Sequence, residues 1–161
     1  MVYHEHFMRL TGATPVTGHP DLFIQHRENL RVVEMKTIDG DKFAVLPAPL
    51  AEHELQLQTY MWGLQSDKRM PVKIDPDFGY LLYLSKKHAS GKLPLKMFPI
   101  RRNPELIEGI QSRLSGYRAG LDDPDSCLPE PLTICQRSSF ENYRARTCPC
   151  LEECRNANSG D

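Results

Sequence analysis

Two short apolar runs constrain this chain more than any other feature. Leu22-Phe23-Ile24 and Leu30-Arg31-Val32-Val33-Glu34-Met35-Lys36 stand on either side of a polar link, Gln25 to Asn29, and Gly18-His19-Pro20-Asp21 leads into the first. Apolar, β-branched runs bounded by Gly, Pro and polar clusters predict adjacent strands of a hairpin. Side chains at i and i+2 project from one face of a strand, so Glu34 and Lys36 point together while Val33 and Met35 enter the opposite layer. The pairing carries Asp21 to the same neighbourhood. Two carboxylates and an ammonium converging at a sheet edge suit a hard divalent cation, with the lysine beside a metal-bound water or a phosphate.

Downstream, Thr37 to Pro49 reads as a link with Asp39-Gly40-Asp41 as its turn signal. The run Leu50 to Leu64 then predicts a helix with Leu50, Leu57, Met61 and Leu64 on an apolar stripe. His53, Gln56 and Tyr60 fall on a polar stripe of the same helix, spaced so that neighbours meet. Upstream, Tyr3 to Leu10 alternates loosely and predicts a first strand, ending in the turn-rich Thr11 to Pro15.

The order Gly-x-x-Asp at 18 to 21, Glu-x-Lys at 34 to 36 and Gln-x-x-x-Tyr at 56 to 60 resembles the PD-(D/E)xK nuclease superfamily. Within it the chain is similar to the RecB-like branch, which includes CRISPR-associated and phage exonucleases carrying a cysteine-bound iron-sulfur cluster, and it looks like a compact phage-type member. The resemblance covers Thr17 to Tyr60 by motif and the tail by layout. It implies a restriction-endonuclease-like α/β core with a mixed central sheet flanked by helices. It also implies that Asp21 and Glu34 ligate Mg2+ or Mn2+, with the Met35 backbone carbonyl as a further ligand. Lys36 is then the catalytic lysine, and Gln56 and Tyr60 orient the strand or a water. RecB-like nucleases carry a metal-binding histidine on a helix ahead of their first strands. This chain starts after the place of that helix, which leaves His4, His6 and His19 as the candidates to replace it.

The remaining core follows from pattern. Asp67 to Pro76 is a polar connector, and Phe78 to Leu84 is a strand dense in aromatic and apolar residues. Leu93 to Ile100 is its partner, pushed toward an edge by Pro94 and Pro99. Asn103-Pro104-Glu105 is a helix start, and Leu106, Ile107, Ile110, Leu114, Tyr117 and Leu121 recur at helical spacing to cover the sheet. The acidic turn Asp122 to Asp125 ends that helix.

Charge is distributed unevenly. The formal net charge of -1 argues against a protein that coats nucleic acid by bulk charge. Yet Ser85 to Arg102 holds Lys86, Lys87, Lys92, Lys96, Arg101 and Arg102 with no Asp or Glu. Such a segment offers a surface for DNA phosphates, with Lys86, Lys87, Lys92, Arg101 and Arg102 as the candidate contacts and binding that falls with salt.

All five cysteines, Cys127, Cys135, Cys148, Cys150 and Cys154, lie after residue 126. Clustering of this kind in a reducing cytosol points to metal. Cys148-Pro149-Cys150 and Cys154 bring three thiolates within reach of one centre, and Cys135 supplies a fourth. Four thiolates fit zinc or an iron-sulfur cluster, and spacing does not choose between them. The family layout, which points to 4Fe–4S, takes one cysteine from before the core; here none precedes Cys127, so the first ligand becomes Cys135 or Cys127. Arg137, Arg144, Arg146 and Arg155 around the tail are further candidates for DNA contact.

A chain of 161 residues is one domain's worth. The expected division is a nuclease core at 1–126 and a cysteine-rich tail at 127–161 packed on it. No run approaches the roughly 18 apolar residues of a membrane span, and a cytoplasmic location follows, the host cytoplasm for a phage-encoded chain. The expected function is a metal-dependent DNA nuclease, an exonuclease on single-stranded DNA or free ends, with a helicase, recombination or CRISPR partner left open. The alternatives are a noncatalytic nucleic-acid-binding or interaction module on a nuclease-like fold, and a zinc-ribbon-like tail beside an accidental Glu-x-Lys.

Overall fold

The structure is a computed structural model and describes residues 2–3, 7–10, 15–70, 72–87, 91, 93–123, 139, 141–148 and 151–158. Two compact units divide the chain, Met1–Ser115 and Gly116–Asp161.

The first unit is built on a five-stranded sheet. Its strands are β1 (Val2–Tyr3), β4 (Leu22–His26), β5 (Asn29–Ile38), β6 (Phe78–Ser85) and β7 (Leu95–Arg101), in the order β1-β4-β5-β6-β7. β2 (Met8–Leu10) and β3 (Val16–Gly18) form a separate antiparallel ribbon. The predicted hairpin is present: β4 and β5 pair antiparallel from Leu22↔Val33 to His26↔Asn29, and the turn places Arg27 at φ 55°. β5 then runs parallel to β6, which requires a crossover. The helix α2 (Ala51–Gln65) lies within that crossover, preceded by the short helix α1 (Gly40–Ala44). β6 and β7 are antiparallel, so the central sheet is mixed.

Alternation in β6 buries Gly79, Leu81, Tyr83 and Ser85 and leaves Phe78, Tyr80, Leu82 and Leu84 half-buried. Leu57, Met61 and Leu64 of α2 join the core beside Leu81 and Val32, each contributing about 1.5–3 kcal/mol relative to exposure. Gly79 allows the close approach, because a side-chain carbon there would come within 3.1 Å of Met61 Sδ and of the Val32 carbonyl oxygen.

Four expectations change. Tyr3 to Leu10 is not one strand: Val2–Tyr3 joins β4 while Met8–Leu10 pairs with β3. The split lets Met8 bury completely against Gly63 of α2. Asp39-Gly40-Asp41 is the start of α1, where the Asp39 side chain accepts from Asp41 N at 2.9 Å and Phe43 enters the core. The connector at 67–76 carries structure of its own: Ile74 bridges to Leu30, and Asp75 accepts from Arg31 Nε at 2.8 Å while capping the N–H groups of Asp77 and Phe78. Finally, α3 (Pro104–Asp122) buries Ile107 alone, and Leu121 is 76% exposed. Helical spacing reveals an apolar stripe but not what it packs on.

In the second unit, α4 (Tyr143–Arg146) and α5 (Leu151–Asn158) follow α3. Glu141 accepts from Arg146 at 3.2 Å and from Arg155 at 3.0 Å.

Candidate active site

The site grows from the end of the β4–β5 pairing. Leu22↔Val33 is the last pair of that ladder, so the Met35 N–H, two residues further along β5, has no strand partner on this side. Asp21 Oδ2 accepts it at 2.6 Å. The N–H and C=O of one strand residue face the same side, so the Met35 carbonyl is presented beside Asp21.

On the α2 side of β5, Glu34 is 2% exposed. Its Oε1 accepts from Lys36 Nζ at 2.6 Å, while Oε2 is buried without a hydrogen-bond partner. Burial pushes the Glu34 carboxyl above its ordinary range against the pull of Lys36, and the neighbouring Asp21 charge adds to the rise. An orphaned carboxylate oxygen beside a second carboxylate is what a hard divalent cation would satisfy. The donor set therefore fits such an ion through Asp21, Glu34 and the Met35 carbonyl. Among the described residues there is no group of three or more His, Cys, Asp or Glu side chains that could hold a metal.

Lys36 Nζ also donates to Gln56 Oε1 at 2.8 Å, and Gln56 Nε2 donates to Tyr60 Oη at 3.0 Å. The two bonds fix which way the Gln56 amide faces. Glu34 and Gln56 together take two of the three ammonium protons of Lys36, and Tyr60 keeps its own hydroxyl hydrogen to donate. Tyr60 in turn lies against Gly18, where an added side-chain carbon would stand 2.6 Å from Tyr60 Cε1. Gly18 thus lets the β3 end meet α2. Asp21, Glu34, Lys36, Gln56 and Tyr60 all fall in this one network.

Two groups flank it. His53 Nδ1 lies 2.8 Å from Tyr83 Oη, which also accepts from Leu50 N at 3.0 Å. Tyr83 is the register partner of Lys36 in β6. No sequence signal separated Tyr83 from its apolar neighbours; alternation within β6 combined with the parallel register would have found it. His19 is exposed, with its ring centroid 4.9 Å from that of Phe7, and is outside the network. His4 and His6 lie outside the described residues.

The described cations of the 85–102 segment fall toward two ends of β7. Lys86 is exposed, and Lys87 lies 2.8 Å from Asp41, at the end of β6 nearer Lys36. Lys96 is taken up by structure, donating to the carbonyls of Phe43 at 2.7 Å and Leu46 at 3.0 Å. Arg101 pairs in register with Phe78, at the opposite end of β6, with its guanidinium 5.4 Å from that ring centroid. Arg102 has a buried Nε with no partner. Lys92 lies outside the described residues, as do Cys127, Cys135 and Cys150. Cys148 is exposed, and Cys154 falls in α5.

With a mixed α/β sheet and a Gly-x-x-Asp, Glu-x-Lys, Gln-x-x-x-Tyr network in hand, comparison with known proteins places the chain. The sequence profile of the PD-(D/E)XK nuclease superfamily matches residues 1–155, and the chain belongs to that superfamily. A solved structure, the crystal structure of SSO0001, shares the fold with a TM-score of 0.52 and 20% identity. That match covers 93% of this chain and 60% of the other, so the chain spans about three-fifths of its structural neighbour. No curated protein sequence matches it.

Proposed function

We propose that this protein is a metal-dependent DNA nuclease that removes nucleotides from free ends. The observation that supports the reading is the buried, unpartnered Glu34 Oε2 between Asp21 and the anchored ammonium of Lys36. Asp21, Glu34 and the Met35 carbonyl would hold Mg2+ or Mn2+, which when bound lowers the pKa of a coordinated water and neutralises phosphate charge.

The chain's own groups do the rest. Lys36, held by Glu34 and Gln56, turns its remaining proton to the phosphate and stabilises the charge that builds during attack. Gln56 keeps Lys36 in place, and the Tyr60 hydroxyl donates a hydrogen bond to the DNA backbone. Lys86, Lys87 and Lys92 contact neighbouring phosphates, and Arg101 and Arg102 contact a longer strand at the far end of β7. Such contacts hold the strand without reading its sequence. In the tail, Cys135, Cys148, Cys150 and Cys154 bind a 4Fe–4S cluster or zinc as a staple. Iron and zinc content, with the visible absorption of freshly purified protein, decides which.

The test is cleavage of end-labelled linear DNA and of circular single-stranded DNA with Mg2+, Mn2+ or EDTA, comparing wild type with Glu34→Ala. Metal-dependent loss of label from linear DNA by wild type alone is the expected result, with circles left intact. Cleaved circles would make the enzyme an endonuclease. Salt-sensitive binding without cleavage in any metal would overturn catalysis and leave a binding module.

A further inference from the structure

Resting on the nuclease reading above, we propose that His53 is a further substrate-contacting residue, a neutral imidazole held by Tyr83 so that its Nε2–H donates to a DNA phosphate beside Lys36. Tyr83 anchors the arrangement. Its side chain is fully buried, and Leu50 N–H donates to its oxygen at 3.0 Å. The phenol therefore has its own proton to place, and His53 Nδ1 at 2.8 Å accepts it. A nitrogen that accepts carries no proton, so the ring's hydrogen sits on Nε2.

Nδ1 and Nε2 lie on opposed sides of the imidazole. With Nδ1 turned to the buried phenol, Nε2 lies across the ring from it, and His53 as a whole is half-buried rather than enclosed. Helix and strand register put His53 beside the site. His53 and Gln56 are one turn apart on α2, and they meet Tyr83 and Lys36, which are register partners on adjacent strands. His53 is thus the neighbour of the catalytic network on its β6 side, as Asp21 is on its β4 side.

Protonation would make Nδ1 a donor and strand the buried Tyr83 proton. Burial, followed by the nearby Lys36 charge, holds His53 below its ordinary range, with Glu52 opposing. Lys36 supplies the charge at this site, and His53 adds a directional donor one step along the backbone.

Two isosteric substitutions separate anchoring from donation. Asparagine places its amide where Nδ1 stands, which keeps a partner for Tyr83 and removes the outward donor. Glutamine reaches the Nε2 position and gives up the Tyr83 bond. The experiment uses the full chain with a short end-labelled oligothymidylate. Binding is measured in Ca2+, cleavage in Mg2+, and the imidazole 15N signals are followed throughout. The expected result is an Nδ1 acceptor and an Nε2–H in the free protein, with the Nε2–H signal shifting on addition of DNA. For H53N, the melting temperature stays near wild type while binding weakens roughly tenfold, seen in KM more than in kcat. H53Q is less stable yet binds DNA better than H53N.

An Nε2–H signal unmoved by DNA, or H53N binding as wild type does, makes His53 an anchor for α2 and overturns the inference while Glu34→Ala still reports on the nuclease. Failure of wild type both to bind and to cleave DNA overturns the nuclease reading and His53's role with it.

Discussion

Lys36 Nζ stands 2.6 Å from one oxygen of Glu34, and the other oxygen of that carboxylate is buried with no partner. The half-satisfied carboxylate makes the site's stability depend on pH. Burial raises the Glu34 pKa above its unfolded value, so the folded state holds the proton more tightly than the unfolded chain. Stability then falls as pH rises from the ordinary glutamate value of about 4.3 through the raised folded value, and the full penalty is present above it. In EDTA at neutral pH, Glu34→Gln is expected to be at least as stable as wild type, with the advantage vanishing below that range. Adding Mn2+ reverses the order: at a hundred times Kd a bound ion stabilises wild type by about 2.7 kcal/mol and leaves Glu34→Gln unmoved. Thermal melts across pH, with and without metal, read both effects.

Lys36→Met tests the other half of the pair. It strips Glu34 Oε1 and Gln56 Oε1 of their donor, which costs about 1–3 kcal/mol for a buried acceptor left bare. Cleavage should fall by at least about 100-fold, the scale for removing one preorganised donor at a transition state. Glu34→Gln combined with Lys36→Met should lose less stability than the two singles added together, because both act on one interaction. Strict additivity in denaturant melts would deny that the two residues are coupled.

Gly18 and Tyr60 make a steric prediction. A methyl on Gly18 meets Tyr60 Cε1 at 2.6 Å, and the ring must move to admit it. Gly18→Ala is therefore expected to cost about 1–3 kcal/mol and to lower cleavage, since Tyr60 is the end of the hydrogen-bonded chain through Gln56. Tyr60→Leu shortens the side chain, so Gly18→Ala made in that background should cost little further stability. A full additive loss would place the strain elsewhere.

The grouping of the candidate site residues was legible because they are close in sequence and set by strand periodicity. Asp21, Glu34 and Lys36 needed the β4–β5 hairpin alone, and Gln56 and Tyr60 needed a helical repeat. Residues acting across the fold gave no such signal. Gln58 resembles Gln56 in type and lies on the same helix, yet it is fully buried and serves structure, donating to the Arg101 carbonyl and accepting from Asn103 N. Lys96 resembles Lys87 but is absorbed by the Phe43 and Leu46 carbonyls at the end of α1. Asp75 sits in what reads as a loop and holds Arg31. In each case the partner is more than 40 positions away, where local pattern is silent. The basic run likewise reads as one surface in sequence, whereas β7 carries its two halves to opposite ends of β6.

That separation yields a prediction about DNA length. Lys87 and Asp41 form an exposed pair, worth at most about 1 kcal/mol, so the lysine is readily released to a phosphate. Replacing Lys86 and Lys87 by Gln should weaken binding of short and long single strands alike. The dependence of log K on log salt should flatten by about 1.4, at about 0.7 for each phosphate left without its lysine. Arg101 lies at the far end of a seven-residue strand, about 20 Å away at about 3.3 Å per residue. A short oligonucleotide bound at Lys36 does not reach it. Replacing Arg101 and Arg102 by Gln should leave short-strand binding unchanged and reduce affinity and salt slope for longer strands only. An equal loss on both lengths would put the arginines beside the scissile phosphate, and no loss on either would remove them from the DNA path.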